Sequence, residues 1–441
     1  MMGRKSKQLC MVILDMESLI PQEHLLRKIK AAIDFDFIYE KAESYYSKIG
    51  RPSIDPVCLM KMLLIGYLYG IRSERRLEEE ITLNIAYRWF CGFDLMDTIP
   101  DHSTFSQNRR RRFTDSTIFR EIFNSMVGEC IESGIVSGET ATSDGSFIPA
   151  NVSWASKIEI TKVVEKSTVD YLEALDEDLK KTEGYVPPYP TVIEKKELKS
   201  KTDPDCGYIH QDLKKGLGYL AEMTVDTANG IITGVDCYPA NRRESDIILK
   251  HIERQTKENQ LDIKKLGLDA GYDVGAVHRG LEIMGITGYT SLRYEHNNPM
   301  KEVFTYQPEN DVFLCREGNE LPFAKLIFKK GTGYYRLYRI KPHSCGNCTK
   351  RNECKAPSGS IRISASPYYP AYYANRVRHD TPVYAQVKRL RGIWSEGTFA
   401  ALKNYHNLKR HRKRGLHRAT EECLLSATAL NLKRFIKAVG A

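Results

Sequence analysis

The first third of the chain carries apolar residues at the spacing of helices. Its clearest segment, Val57 to Tyr69, is apolar on most faces, follows a candidate N-cap at Asp55 and stops at Gly70. We therefore predict a helical N-terminal domain over residues 1–137. Short helices with a basic one near the end are typical of a DNA-binding helix-turn-helix layout, but the same pattern fits a packing or dimerisation module. Helical spacing favours neither interpretation over the other.

From residue 138 the pattern changes to short apolar runs that predict strands. One run leads into Asp144, where we expect the strand to end or turn, and another ends directly on Asp269. Two strand-like runs between them are joined by an Asn-Gly pair at 229–230, a strong hairpin signal. Helical stretches alternate with these strands. This alternation predicts that residues 138–299 form the first part of a mixed α/β or α+β core.

Further stretches interrupt and complete this core. Residues from about 155 to 200 are charged, and we expect a helical insertion there. Residues 300–380 contain short β-prone pieces between glycine and polar turns, which predicts an inserted, cysteine-containing β-rich subdomain. Residues 381–441 are predicted to be helical and to complete the core. The predicted fold class is α+β or α/β, with N-terminal helices, a mixed sheet flanked by helices, and a β-rich insertion.

The formal net charge of +10 on 441 residues is modest, but it is unevenly distributed. Arg109 to Arg112 form one basic run, and ten basic residues between Lys388 and Arg418 face a single acid. Clustered positive charge favours a polyanion through counterion release, so we predict nucleic acid as the partner, with a solvated helix face as the alternative. The chain shows neither a secretory signal nor a stretch that could span a bilayer, so we expect no membrane partner and a cytoplasmic location.

Three acidic residues are candidates for the chemistry: Asp144, Asp269 and Glu396. The two aspartates follow β-prone runs, and sites on sheets are usually built at strand ends, although an Asp-Gly pair by itself is more often a turn. Glu396 and Lys403 lie two turns apart on one face of a predicted helix. Carboxylate oxygens are the ligands that Mg²⁺ and Mn²⁺ prefer. Three of them brought together would hold two such ions for phosphoryl transfer.

The segments around these acids resemble a known enzyme family. Three of them look like the signature blocks of bacterial insertion-sequence transposases of the DDE superfamily: Thr142-Ser143-Asp144-Gly145-Ser146, Leu268-Asp269-Ala270-Gly271-Tyr272-Asp273, and Glu396-Gly397 with Lys403. Further blocks similar to the family's lie at 201–205, at 218–232 and from 51 to 106. The resemblance therefore covers nearly the whole chain.

The resemblance implies an RNase H-like catalytic domain with Asp144, Asp269 and Glu396 as ligands of Mg²⁺ or Mn²⁺. It implies cleavage and strand transfer of double-stranded DNA, at the element's terminal repeats and at target DNA, by a chain that works at the bacterial nucleoid and is at least a homodimer on DNA. Two alternatives remain open. One is a catalytically silent DNA-binding protein derived from such an enzyme, and the other is a metal-dependent nuclease without strand transfer.

One position departs from the family pattern. Related enzymes often place an arginine four residues before the glutamate, where this chain has Gly392, so that Arg391 or Arg389 would have to substitute; the nearest upstream tyrosine is Tyr384. Lys403 matches the family's downstream lysine and is the predicted phosphate contact. The predicted DNA-binding residues are Arg109, Arg110, Arg111, Arg112, Arg389, Arg391, Lys403, Lys409, Arg410, Arg412, Lys413 and Arg414.

The cysteines suggest a second, structural site. Their number, 11, is odd and most are scattered, which suits a reducing compartment better than a disulfide scaffold. Cys345 and Cys348 form a C-x₂-C pair, with Cys354 close behind and Cys315 in an upstream strand-like run. This grouping predicts a tetrahedral structural Zn²⁺ site; free cysteines are the alternative, and an iron–sulfur cluster is less favoured.

Overall fold

The computed structural model of the protein describes residues 15–47, 49–50, 53–114, 116–166, 172–188, 191–211, 214–293, 303–330, 332–340, 348, 350 and 361–440. The chain forms two compact units. The first comprises Met1–Glu129, Asn404–Asn407 and Leu424–Ala441, and the second comprises Cys130–Lys403 and Leu408–Cys423.

The α-helices are α1 (Leu25–Ala32), α2 (Phe37–Ala42), α3 (Pro56–Leu68), α4 (Glu74–Leu83), α5 (Ile85–Cys91), α6 (Ser103–Arg111), α7 (Ile118–Glu132), α8 (Glu173–Lys180), α9 (Glu244–Asn259), α10 (Gly275–Ile283), α11 (Tyr369–Arg378), α12 (Pro382–Arg391), α13 (Gly397–Tyr405) and α14 (Leu416–Val439). The strands are β1 (Thr140–Pro149), β2 (Lys157–Lys166), β3 (Thr191–Ser200), β4 (Gly207–Gln211), β5 (Lys214–Asp226), β6 (Ile232–Pro239), β7 (Lys265–Leu268), β8 (Thr287–Thr290), β9 (Phe304–Gln307), β10 (Val312–Cys315), β11 (Glu320–Lys329), β12 (Gly333–Arg339) and β13 (Arg362–Ala365).

In the first unit, α3 is buried on nearly every face. Its start is fixed as predicted: the Asp55 carboxylate accepts a hydrogen bond from the backbone N–H of Cys58 at 2.9 Å, and Pro56 occupies the first helical position. The helix ends before Gly70, which has a φ of +68°. The side chain of Asn407 then binds the carbonyl groups of Gly66 and Ile71. These bonds satisfy polar groups that the end of a helix leaves without partners.

The second unit is built on a mixed sheet. Along its core the strands run in the order β6-β5-β1-β7-β8, and β4 pairs with another part of β5. β5 is antiparallel to β1 and to β6, whereas β7 is parallel to β1 and to β8. An antiparallel three-stranded meander followed by two parallel strands, with the first strand in the centre, is the RNase H-like arrangement. The predicted hairpin at 229–230 joins β5 to β6 and is confirmed.

Helices cover both faces of this sheet. The helix α9 packs on β5 and β6, and α12 packs on β1, β7 and β8. A buried cluster that includes Ala141, Leu266 and Leu268 joins the sheet to α9 and α10. On the other face, the missing side chain of Gly267 gives Val387 of α12 its space, since a Cβ atom there would lie 2.7 Å from it. The predicted fold class is thus confirmed.

The charged stretch after β1 is not the helix that was predicted. Residues 157–166 and 191–200 form the antiparallel pair β2–β3, and among the described residues between them only α8 is helical. The start of β2 alternates Ile158 and Ile160 with charged neighbours, a period of two that suits a strand. The helical prediction followed the density of charge and overlooked this period.

The β-rich insertion between the second and third acidic candidates is confirmed. Its strands form an antiparallel sheet in the order β13-β12-β11-β10-β9. The sheet has its own apolar core, in which Tyr306, Phe313 and Tyr338 pack against one another and against Tyr369 of α11. Within the described residues, none of the helices is both long enough and apolar enough to cross a membrane.

Candidate active site

The sheet brings Asp144 and Asp269 to the same edge. The parallel ladder between β1 and β7 pairs Thr142 with Gly267, and continuing its register by two residues places Asp144 opposite Asp269. Asp269 directly follows β7, where its carboxylate accepts a hydrogen bond from the backbone N–H of Gly271 at 2.7 Å. The prediction that the strand of Asp144 stops there is wrong, because β1 continues to Pro149 on its ladder with β5.

The segment that carries Glu396 lies along one face of β1. Residues 142, 144 and 146 point to this face, since side chains alternate along a strand. The hydroxyl of Ser395 donates to Thr142 Oγ1 at 2.9 Å, and Lys403 Nζ donates to Ser146 Oγ at 2.7 Å. The two contacts bracket Asp144, so Glu396 and Lys403 reach the site together.

Arg391 joins two of the three acids. Its guanidinium lies 3.8 Å from Asp144 Oδ2 and 3.1 Å from Glu396 Oε1. The side chains of Arg391 and Asp144 are 18% and 17% exposed, whereas that of Glu396 is 62% exposed, so Glu396 is the solvent-facing member. The acids are brought to one place but do not touch: they are not a set of ligand atoms lying within 4.8 Å of one another.

A π-helical turn explains why the arginine stands one residue earlier than the family pattern expects. Residues Gly392–Glu396 form this turn between α12 and α13. A π-turn adds one residue to a helical turn, so the residue five places before Glu396 occupies the place that an α-helix gives to the fourth. Arg391 thereby faces Glu396, and Gly392 is exposed. Of the two predicted substitutes, Arg391 is the one in contact.

The turn of the β5–β6 hairpin supports the same segment. Gly230 has a φ of +75°, and a Cβ atom built on it would lie 2.2 Å from the Trp394 ring. The indole therefore packs directly on the glycine backbone. Through this contact the Asn-Gly turn, far away in sequence, helps to fix the position of the π-helical turn and of Glu396.

Sequence reasoning missed two further acids, on the other face of β1. Glu222 is fully buried on β5, opposite Gly145, and accepts hydrogen bonds from Ser143 at 2.7 Å and from the Tyr272 hydroxyl at 2.8 and 2.9 Å. Glu244, the first residue of α9, reaches towards the same place. A Cβ atom on Gly145 would lie 2.7 Å from its carboxylate. The glycine beside each aspartate was the available signal, because a glycine there leaves room for another group.

Several carboxylates lie close together at this edge of the sheet, and burial together with their mutual repulsion shifts the pKa values of neighbouring groups. Burial, and then the nearby Glu244 and Asp144, raise the pKa of Glu222 well above its usual range, against the hydrogen bonds from Ser143 and Tyr272. Burial, followed by the surrounding carboxylates, likewise raises the pKa of the Tyr272 hydroxyl. A divalent cation at this edge would relieve the repulsion. The donor set fits one, since it offers hard carboxylate oxygens.

The glycines also fit a cation site. A Cβ atom on Gly271 would lie 2.9 Å from Glu244 Oε2 and 3.0 Å from Asp269 Oδ1, so side-chain atoms would fill the space that these two carboxylates share. On the opposite face, a cationic guanidinium already lies between Asp144 and Glu396. The carboxylates that could hold a divalent ion here are those of Asp144, Asp269 and Glu396.

The predicted DNA-binding residues have different surroundings. Arg109 is buried and pairs with Glu74, and Arg112 lies over the Tyr46 ring. Arg410 and Arg414 donate to backbone carbonyl groups at 150–152, and Arg412 pairs with Glu422. Lys413 is half-buried. Arg110, Arg111, Lys388, Arg389 and Lys409 are exposed. The structure thus gives several of these arginines partners within the chain, although Arg410 and Arg414 also remain exposed to solvent.

The predicted zinc cluster lies partly outside the described residues, which leave out Cys345 and Cys354. Cys315, at the end of β10, and Cys348 are both half-buried free thiols. Asn319 donates to the sulfur of Cys315 at 3.6 Å. The zinc site stays a prediction.

Two family models match the chain. Residues 14–111 match a transposase domain (DUF772), and residues 314–436 match a transposase DDE domain. No curated protein matches. Among solved structures, the piggyBac transposase synaptic complex with hairpin DNA is similar, at 10% identity and a TM-score of 0.38, over 94% of this chain and 75% of that one.

Two complexes of Mos1 transposase are more distant. The paired-end complex with the left transposon end is 8% identical with a TM-score of 0.17, over 58% of this chain and 72% of that one. The mariner paired-end complex with Mn has the same identity and TM-score, over 60% of this chain and 76% of that one. These distant structural likenesses carry no argument, and the similarity to transposases rests on the two family models.

Proposed function

We propose that this chain is a DDE transposase, which cuts and joins DNA at the edge of the sheet that carries Asp144, Asp269 and Glu396. The observation that supports the proposal is that Asp144 and Asp269 lie opposite each other on the sheet, while Arg391 and Lys403 tie the segment of Glu396 to β1. Enzymes of this family use divalent metal ions, and we propose two Mg²⁺ or Mn²⁺ ions here. When bound, such ions activate a water or a DNA 3′-hydroxyl and stabilise the leaving oxygen.

The residues of the chain divide the remaining work. Asp144 lies on β1 and Asp269 directly after the neighbouring strand β7, so they supply rigid ligands, whereas Glu396 is exposed on a helical segment. Lys403 is anchored on Ser146, two residues beyond Asp144, and from there it would contact a DNA phosphate. We propose that Arg391 turns from the two carboxylates towards a phosphate when metal takes its place. No covalent enzyme intermediate is needed.

The partner we propose is double-stranded DNA, both the element's terminal repeats and its target, at the bacterial nucleoid. Because two ends must be cut for one transposition, we propose that two chains act together on DNA. The mass of the complex that the protein forms with a short duplex carrying one element end gives the number of chains bound. A complex with a single chain and full strand transfer would contradict it.

The experiment that tests the function uses a supercoiled plasmid carrying the DNA that flanks this gene. We expect Mg²⁺- or Mn²⁺-dependent strand cleavage followed by strand-transfer products. Asp144→Asn, Asp269→Asn and Glu396→Gln should reduce cleavage to background while duplex binding persists. Glu139→Gln, an exposed acid next to the start of β1, is the control and should cleave normally. Residual cleavage by Asp269→Asn in Mg²⁺ would overturn the assignment, and cleavage without joining would indicate a nuclease.

A further inference from the structure

Three side chains that can bind a soft metal meet inside the second unit, in a cluster separate from the acidic edge. Cys237 lies on β6, His411 in the segment between α13 and α14, and Cys423 on α14. All three are buried, with 6%, 2% and 0% of their surface exposed. Their sulfur and nitrogen atoms lie within 4.8 Å of one another. The fold thus brings Cys237 to His411 and Cys423, which are close in sequence, and places two thiols and an imidazole together.

The hydrogen bonding of His411 indicates that this cluster can bind a metal ion. Its Nδ1 lies 3.0 Å from Glu422 Oε2, so Nδ1 carries the proton and donates to the carboxylate. The other ring nitrogen, Nε2, is buried and has no hydrogen-bond partner. A buried polar atom without a partner is costly, and the unused lone pair of Nε2 is available to bind a metal together with the two thiols. A carboxylate behind the imidazole is the usual support of a metal-bound histidine.

We propose that Cys237, Cys423 and His411 bind one Zn²⁺ ion that holds the segment 408–415 against the catalytic sheet. Both thiols lose their protons to solvent on binding, and the two thiolates with a neutral imidazole balance the charge of a divalent ion. A buried site favours this neutral sum, whereas Cu⁺ would leave a net negative charge. Thiolate and imidazole are ligands that Zn²⁺ prefers.

The site would organise the basic segment in which His411 lies. The backbone N–H of His411 donates to the carbonyl of Pro149, at the end of β1, at 3.0 Å. Arg410 and Arg414 on either side bind carbonyl groups just beyond that strand. A metal at His411 would therefore fix this loop at the end of the strand that carries Asp144.

The test measures zinc directly, and it must exclude the second cysteine cluster. Protein carrying Cys345→Ser and Cys348→Ser is purified, stripped of metal, and titrated with Zn²⁺ against a chromophoric chelator. We expect one Zn²⁺ per chain. Titration with Co²⁺ should give the intense near-ultraviolet absorption of thiolate–cobalt bonds. If this protein binds no metal, the proposal is overturned.

Variants then assign the ligands. In the same background, Cys237→Ser, Cys423→Ser and His411→Asn should each weaken Zn²⁺ binding at least a hundredfold. Cys206→Ser is the matched control, a fully buried free cysteine in the same unit, and should bind as before. Zn²⁺ should raise the melting temperature of the Cys206→Ser protein but not that of His411→Asn. A Cys237–Cys423 disulfide in protein purified without reductant would also contradict the zinc assignment.

Discussion

At the scale of single residues, the site depends on side chains that are absent. Gly145 and Gly271 leave space for the Glu244 carboxylate, and Gly230 leaves space for the Trp394 ring. The aspartates could be found from the sequence because each has a local signal, a strand-like run and a glycine. For Glu222 and Glu244 the available signal was indirect, the glycines at 145 and 271. Their role depends on cross-strand and helix–sheet contacts that only the fold creates.

Replacing Gly230 by alanine should disturb the site, whereas the same change at Gly285 should not. The two glycines have nearly equal φ angles, +75° and +74°, so alanine costs about 1–2 kcal/mol of backbone strain at either position. Only at Gly230 does the new methyl group meet a side chain, Trp394, which adds about 1–3 kcal/mol of overpacking. Denaturant unfolding and plasmid cleavage measure the difference. Equal stability losses and normal cleavage in both variants would refute the packing role.

His406 should make the stability of the protein depend on pH below neutrality. Its burial, and next the charge of Lys433, lower its pKa from 6.5 to about 4, against the hydrogen bond that Nδ1 donates to the Tyr67 carbonyl. Between these values the unfolded chain binds a proton that the folded chain does not, so stability falls as the pH falls. The stability that disappears over this range is about 3 kcal/mol.

The measurement is the free energy of unfolding from pH 7 to pH 4. His406→Gln keeps a donor for the Tyr67 carbonyl and should show a shallower fall over this range. His210→Gln changes an exposed histidine and should follow the wild type. An unchanged pH dependence in His406→Gln would show that other groups cause the fall.

At the scale of elements, the π-helical turn is the feature that sequence could not supply. The register of a helix is read from a constant period, and one extra residue breaks it. Other elements were predictable because their signals are local: the cap at Asp55, the stop at Gly70 and the turn at 229–230 are all confirmed. The strand β2 was missed because charge hid its period of two, and β1 was cut short because Asp144 and Gly145 resemble a turn.

Moving the arginine from position 391 to position 392 should show whether this segment works as a π-helical turn or as a continuous α-helix. In a continuous α-helix the place facing Glu396 is residue 392, whereas the π-turn gives that place to Arg391. We therefore expect Arg391→Ala to lower cleavage at least tenfold and the double change Arg391→Ala with Gly392→Arg to fail to restore it. Gly392 has no atom within 4 Å of where a Cβ would lie, so the added side chain is tolerated. Full restoration of cleavage would contradict the π-turn assignment.

At the scale of the whole molecule, the net charge of +10 is a poor guide to the DNA-binding surface. Of the cations that sequence grouped together, Arg109 and Arg412 pair with acids, and Arg410 and Arg414 bind the backbone. The overall α+β class could be predicted because alternating strands and helices constrain it. The role of each cation could not be predicted from the sequence, because it depends on which acids and carbonyl groups the fold brings near it.

The salt dependence of DNA binding should identify the cations that bind phosphate. Removing one cation–phosphate pair lowers the slope of log affinity against log salt concentration by about 0.9. We expect Lys388→Ala, Arg389→Ala and Lys409→Ala each to lower the slope by up to this amount, since all three are exposed. Lys257→Ala on α9, which removes an exposed cation paired with Glu253, is the control. Unchanged slopes in all three variants would place the DNA elsewhere on the protein.

The order of the three acids along the chain has a consequence during synthesis. Asp144 lies on the central strand, but Glu396 follows the whole β-rich insertion and docks back onto that strand. A ribosome adding about 5–20 residues per second makes the glutamate on the order of tens of seconds after the first aspartate. Until then the growing chain holds two acids without the third. Translation thus leaves the proposed DNA-cutting site incomplete until residue 396 has been added.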